Sequence, residues 1–403
     1  MSDSNAMGDA IRNRIEELTG ELVSLRRDFH RHPELGFQEH RTAEKVEEYL
    51  RRIGLIPRRM AGTGVVAVLE GSHPGPVLML RADMDALPIQ EETETDYRSG
   101  NPGVMHACGH DAHMAMLLVA AKILVENKAD IQGIIKFVFQ PNEEIAGAVT
   151  MIGEGVLDDP RVEAVVGIHV WTPVASGNVA ITHGTVMGGL DVFRIRIQGK
   201  GGHTGFPEDA IDPVIAAASV IQTTQIIQTR EISDLLSTII MFGKIQGGTK
   251  GNIVPDTVDL EGTIRFLYKG GPESEEQPTE RFVRVVEDVC RTHRCTCTIE
   301  IEHENIPLIN NPEMVRIARE AAGGVFPDKT HIIDNRTIAS EDFSEFSARV
   351  PGVFMFLGTG NPEKGTDIPH HNPKFNVDED VLPDGVELYV RSVFVYFRNA
   401  DRL

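Results

Sequence analysis

The 403 residues include 39 basic and 60 acidic side chains, giving a formal net charge of -21 at pH 7. That balance argues against nucleic acid or an anionic membrane as the main partner, since both call for a basic surface. No apolar run approaches the length that spans a bilayer, and 41% hydrophobic with 25% charged residues is ordinary for a soluble globular protein of two or three domains.

The polar N-terminus lacks the apolar core of a signal peptide, and four cysteines are too few for a disulfide framework, so the cytoplasm is the expected compartment. Apolar residues recur at helical spacing through Ile15, Leu18, Leu22, Leu25 and Phe29, then at Val46 and Leu50. Pro33-Glu34-Leu35-Gly36 interrupts them, so two helices are expected within 11–52. Short runs rich in Val and Leu predict strands over 64–70 and 77–82. A helix over 112–126, a strand over 133–140, a helix over 146–154 and a strand over 164–170 follow. Strands alternating with helices imply an α/β domain with a largely parallel sheet.

The middle of the chain reads differently. Strand 191–198, helix 212–229, strands 237–245 and 257–266, helix 275–293 and strand 296–303 give the order β-α-β-β-α-β of a ferredoxin-like domain. The acidic stretch 270–278 reads as a solvated loop. Cys290, Cys295 and Cys297 cluster here without a histidine-rich partner motif and read as structural. Helices over 312–322 and 341–348, a strand over 353–357 and a helix over 382–399 then resume the α/β pattern. The expected organisation is a catalytic domain of 1–186 plus 304–403 with an inserted domain of 187–303.

Candidate ligands fall where α/β sheets put their sites, just beyond strand ends. Cys108-Gly109-His110 precedes a helix, and the glycine permits a turn tight enough for both side chains to converge. Glu143-Glu144 follows the apolar strand; an adjacent carboxylate pair at a sheet edge repels itself unless a cation is present. His169 ends another strand, and His370-His371 lies in a glycine-rich downstream loop. Thiolate, imidazole and carboxylate together suit Zn, Mn, Ni, Co or Fe rather than Ca or Mg. There are donors enough for two ions sharing a hydroxide. One of two adjacent carboxylates can then ligate while the other moves a proton.

The segments Arg81-Ala-Asp83-Met-Asp85-Ala-Leu-Pro88, Met105-His-Ala-Cys-Gly-His-Asp-Ala-His113, Phe139-Gln-Pro-Asn-Glu-Glu144, Gly167-Ile-His-Val170, Gly199-Lys-Gly-Gly-His203, Asn252-Ile-Val-Pro255, Gly262-Thr-Ile-Arg265 and Ser340-Glu-Asp-Phe343 stand in this order. Together they resemble the amidohydrolase branch of the aminoacylase and carboxypeptidase G family of two-metal peptidases. That branch holds N-acyl-amino-acid amidohydrolases, hippurate hydrolases and auxin-conjugate hydrolases. The resemblance runs from about residue 20 to the C-terminus. It implies a metallopeptidase-like α/β catalytic domain whose inserted domain is a lid and dimerises the protein.

The resemblance further implies two divalent transition-metal ions (Mn, Zn, Ni or Co) on Cys108, His110, Glu144, His169 and His371, with Cys108 bridging. Glu143 falls on the general base and Asp85 on a position that orients a ligand. His203 matches a histidine that completes the neighbouring subunit's site and steadies the oxyanion. Asn252 and Arg265 match positions that hold the substrate carboxylate. The expected reaction is hydrolysis of a small N-acyl amino acid. The alternatives are a C–N hydrolase of an aromatic amine, cyclic amide or dipeptide, and a non-catalytic binding protein on the same scaffold. Asn142, Trp171 and the segment 204–208 depart from the family pattern and are expected near the substrate.

Overall fold

A computed structural model describes residues 2–269 and 276–399, and the chain forms two compact units. The first holds residues up to Val186, Ile309–Arg336 and those from Asp342 onward. Its frame is a mixed sheet in the order Arg58–Met60, Gly64–Glu70, Gln132–Gln140, His73–Asp83, Ala164–Ala175, Gly352–Gly360, Val179–Ala180 and Ile332–Ile333.

The four central strands, Gln132–Gln140 through Gly352–Gly360, run parallel, so their carboxyl ends share one edge. Their near-continuous apolar runs suit a sheet covered on both faces. Leu78, Leu80, Phe137, Phe139, Val165, Val166, Phe354 and Met355 are all fully buried. On either side of this centre the direction changes: Gly64–Glu70 runs antiparallel to Gln132–Gln140, and Val179–Ala180 runs antiparallel to Gly352–Gly360 but parallel to the edge strand Ile332–Ile333. The shortest strands escaped the sequence reading because two or three residues show no period.

The helix His110–Glu126 is buried on nearly all sides. Helices Ser2–Arg31 and Leu382–Asn399 lie against it. Gly385 permits that approach, since a Cβ there would stand 2.1 Å from Met116 Sδ. The first helix begins at Ser2, well before the apolar stripe that marks it in sequence. Another departure is Arg26, a charged residue that is wholly buried and pairs with Asp111 at 2.9 Å and Glu379 at 3.1 Å. Among the described residues no helix is long and apolar enough to cross a membrane.

The second unit comprises Met187–Leu308 and Thr337–Glu341. Its antiparallel sheet has the order Thr238–Gly247, Thr257–Phe266, Gly189–Gln198, Thr296–Asn305. With helices Pro213–Thr223 and Pro278–Thr292, the chain order is β-α-β-β-α-β. Alternation sorts the two faces: Phe193, Ile195 and Ile197 are buried with Val220, Phe282 and Val286 of the helices. On the other face Arg196–Asp259 and Lys244–Glu261 form exposed cross-strand pairs.

The helix expected over 212–229 stops at Thr223, and a wider turn spans Ile227–Glu231. The β-branched Thr223-Thr224 pair weakens the helix there, and the Thr224 hydroxyl donates back to the Val220 carbonyl at 2.9 Å. The acidic loop expected over 270–278 lies outside the described residues up to 275, and so does the first residue of the helix expected over 275–293. Cys290 and Cys295 are buried and Cys297 half-buried. Burial pushes the Cys290 thiol up to about 12, which keeps it protonated and inert.

Candidate metal centre

The shared carboxyl edge of the parallel strands gathers the acidic and imidazole groups of the first unit. Asp83 ends its strand opposite Gln140, the last residue of the neighbouring strand. Glu143 and Glu144 follow Gln140, and His169 lies on the strand Ala164–Ala175. Cys108-Gly109-His110 reaches the same edge at the start of a helix. Gly109 has φ 91°, and a Cβ there would lie 2.3 Å from Val170 Cγ2. The turn therefore needs glycine on conformational and steric grounds together.

The ligand atoms of Cys108, His110 and His169 lie within 4.8 Å of one another, as do those of Cys108, Glu144 and His371. Cys108 belongs to both groups. Its Sγ is 3.5 Å from His169 Nε2, and Glu144 Oε1 is 3.3 Å from His371 Nε2. Hydrogen bonds set which ring nitrogens point inward. His110 Nδ1 donates to the Asp85 carbonyl at 2.8 Å and His169 Nδ1 to the Val170 carbonyl at 2.6 Å, so each turns Nε2 to the cluster.

His110 Nε2 and Glu144 Oε1 are buried atoms with no hydrogen-bond partner. An unsatisfied buried polar group costs about 1–3 kcal/mol. Two such atoms in one cluster with a thiol and a second imidazole are what a bound transition ion relieves. The residues therefore fit a metal pair sharing Cys108.

Charge in the cluster is arranged by its neighbours. Burial opposes a proton on His110, but Asp83 and Asp85 outweigh it and raise the group to about 10. The cluster thus favours one positive charge at that atom, which an ion would take over. Burial, with His113 and His370, drives His169 well below the usual imidazole range, leaving its lone pair free. Burial opposes ionisation of Asp83 too, but His110, His113 and Arg81 keep its carboxyl well below the usual range.

Behind the donors is a supporting layer, in which the sequence reading gave Asp83 and Asp342 no roles. Asp85 accepts from the backbone N–H of Glu143 at 3.0 Å and of Glu144 at 3.2 Å, and so holds both carboxylates in place. His113 donates from Nδ1 to Asp83 at 2.6 Å and accepts at Nε2 from the Val170 N–H at 2.8 Å. Both its nitrogens are used, so it supports the cluster rather than ligating. Asp342 accepts from Gln140 at 2.8 Å and from Arg81 at 3.1 Å, and its N–H faces Glu143 Oε1 at 3.5 Å. The signal was available: Arg81, Asp83 and Asp85 alternate at a strand end, and Asp342 lies in a quoted segment. Glu143 is buried, with Oε2 3.9 Å from His110 Nε2.

The two histidines of the downstream loop take different places. His370 hydrogen-bonds the Val170 carbonyl at 3.0 Å, while its neighbour His371 joins the donor group. Asn142, expected near the substrate, is buried at φ 51°, and its N–H donates to Glu39 at 2.9 Å. Asparagine tolerates that left-handed backbone, so its role is to turn the chain into Glu143-Glu144.

In the second unit, His203 and Ile253 pair across a two-residue ladder, which sets Asn252 beside His203. His203 is exposed and accepts at Nδ1 from the Gly205 N–H at 3.0 Å. Arg265 is half-buried; among the described residues it forms no ion pair and donates only to the Ile338 carbonyl, at 3.4 Å. Burial lowers its pKa, against the charge of Glu304, which raises it.

A family model described as peptidase family M20/M25/M40 matches residues 79–394. The chain belongs to this family. Membership makes it a hydrolase of amide or peptide bonds. This M20 chain is 38% identical over 383 residues to thermostable carboxypeptidase 1 of Saccharolobus solfataricus, covering 94% of this chain and 95% of that one. It is 36% identical over 368 residues to an N-acetylcysteine deacetylase of Bacillus subtilis, covering 90% and 93%. Among solved structures, the Bacillus subtilis YXEP protein, a dinuclear metal-binding peptidase of the M20 family, superposes with a TM-score of 0.82 at 29% identity, covering 95% and 99%.

Proposed function

We propose that this M20 enzyme hydrolyses the amide bond of small N-acyl amino acids, releasing a carboxylic acid and an amino acid. The observation that carries this is the pair of donor groups sharing Cys108, with the buried carboxylate of Glu143 beside them. Cys108, His110 and His169 would hold one ion, and Cys108, Glu144 and His371 the other. Two divalent transition ions (Mn, Zn, Ni or Co) supply Lewis acidity toward the amide carbonyl and lower the pKa of water.

The chain's own groups do the rest. Glu143 takes a proton from the attacking water and returns it to the leaving nitrogen, the work of a single base and acid. Asp85 keeps Glu143 and His110 in register. On the inserted unit, Arg265 and Asn252 receive the substrate carboxylate, which suits a half-buried guanidinium with no ion pair among the described residues. His203 of the partner subunit donates to the oxyanion in a homodimer formed through the inserted lid. None of the four cysteines is in a disulfide, which fits a reducing compartment such as the cytoplasm.

A second reading, carboxypeptidase or dipeptidase action, is favoured by the likeness to a carboxypeptidase. A panel of acetyl, benzoyl and indoleacetyl amino acids and dipeptides, assayed with Mn and with Zn, separates the two. Turnover of the acyl amino acids is expected. Turnover of dipeptides alone would replace the first reading with the second, and no turnover of any carboxylate-bearing amide would remove both.

A further inference from the structure

His371 poses a physical problem for a metal ligand. Its side chain is 52% exposed, it sits on a loop, and its backbone is left-handed at φ 62°. A non-glycine residue in that region is strained, and loop tips are mobile by default. Something must hold the loop in that shape.

The residue before it supplies the hold. The His370 ring lies between Trp171, stacked at 4.5 Å and 27°, and Phe375 at 4.8 Å and 42°. Its Nε2 donates to the Val170 carbonyl at 3.0 Å, and the His371 N–H donates to the Ala107 carbonyl at 2.9 Å. The loop is thus tied to the segment carrying Cys108 and to the strand carrying His169. Trp171 lies two residues after His169 on that strand, on the same face, with ring centroids 5.7 Å apart. Its other contact is the buried Phe356 at 5.0 Å. The indole therefore touches one ligand and, through His370, steers another.

Resting on the two-metal reading above, we infer that Trp171 and His370 are positioning residues that hold the His371 loop, and that the Cys108–Glu144–His371 metal position reaches its full affinity only while their stack is intact. Neither ring needs to touch metal or substrate for this. The stack couples the two positions through side chains of this chain alone.

The test titrates Mn(II) into the metal-free full-length protein by calorimetry and follows the fluorescence of Trp171, the only tryptophan in the chain. The wild type is expected to bind two equivalents, with the emission change tracking the second. His370→Ala and Trp171→Ala should keep one equivalent and bind the second roughly 10–100-fold more weakly, the usual effect of losing a ligand's support. Trp171→Phe, which keeps an aromatic face, should restore the second equivalent. Far-UV circular dichroism of each variant checks that the fold persists. Two equivalents bound with wild-type affinity in both alanine variants would overturn the inference, and so would joint loss of both equivalents. A wild type that takes up fewer than two ions would instead overturn the two-metal reading, and this inference with it.

Discussion

The two groups of candidate site residues live in opposite environments. At the sheet edge of the first unit, Cys108, His110, Glu143 and His169 are buried, Glu144 is half-buried and His371 alone of the set is exposed, while Asp85 ties down the backbone of both glutamates by hydrogen bonds. In the second unit His203 and Asn252 are exposed and Arg265 is half-buried, with no ion pair among the described residues. The contrast teaches a division of labour. Metal ligation demands a fixed geometry that is complete before any substrate arrives. Carboxylate and oxyanion recognition instead leaves polar groups open until a ligand or a second copy meets them.

Four substitutions or conditions would break or sharpen this division, taken from the largest expected effect down. Cys108→Ser removes the donor common to both groups. Both metal equivalents should be lost or weakened beyond the roughly 10–100-fold typical of supporting residues, with turnover falling alongside. Retention of one tight equivalent by elemental analysis would show that Cys108 is not shared. Asp85→Asn keeps every ligand but loosens His110 and the Glu143-Glu144 backbone. Metal affinity should drop roughly 10–100-fold, measured by competition with a chromophoric chelator; an unchanged affinity would remove its orienting role.

Arg265→Ala should act on the other side of the division. Loss of a charge-assisted hydrogen bond of about 1.5–3 kcal/mol should raise KM for carboxylate-bearing substrates roughly 10–100-fold, leaving metal content intact. A fall in metal content would contradict the separation. The smallest effect is acid sensitivity. Asp111 is a buried carboxylate; burial opposes its ionisation, but Arg26 and His30 hold it far below the ordinary 3.8. A depressed folded pKa contributes stability that is present above the unfolded value and lost as pH falls beneath it. The urea midpoint of the metal-free protein should therefore drop from about pH 5 to about pH 3, and Asp111→Asn should flatten that slope. A midpoint independent of pH in the native sequence would count against the buried network.

Legibility in the sequence followed physical signal strength. The break at Pro33–Gly36, the strand Thr257–Phe266 and the helix Leu382–Asn399 carry strong periodicity or breakers, and they stand where the pattern sets them. The tight turn at Gly109 was equally readable, because only glycine fits between two convergent side chains there. Other features carry no periodic signal. Arg26, Asp111, His30 and Glu91 look like surface charges on two helices and a loop, and their burial as one network depends on partners far apart in the chain. Asn142 drew notice as a departure from the family pattern, but its left-handed backbone angle carries no periodic signal. Trp171 stood out as the lone tryptophan, but its stacking on His370 joins residues nearly 200 apart.

The central claim is that Glu143 moves the proton while the surrounding residues hold the metals. The most direct measurement is therefore the metal content and turnover of Glu143→Gln, side by side with the native protein. Two bound equivalents, together with turnover reduced by several orders of magnitude, are the predicted result. Turnover near the native rate, with the metals still bound, would contradict the account.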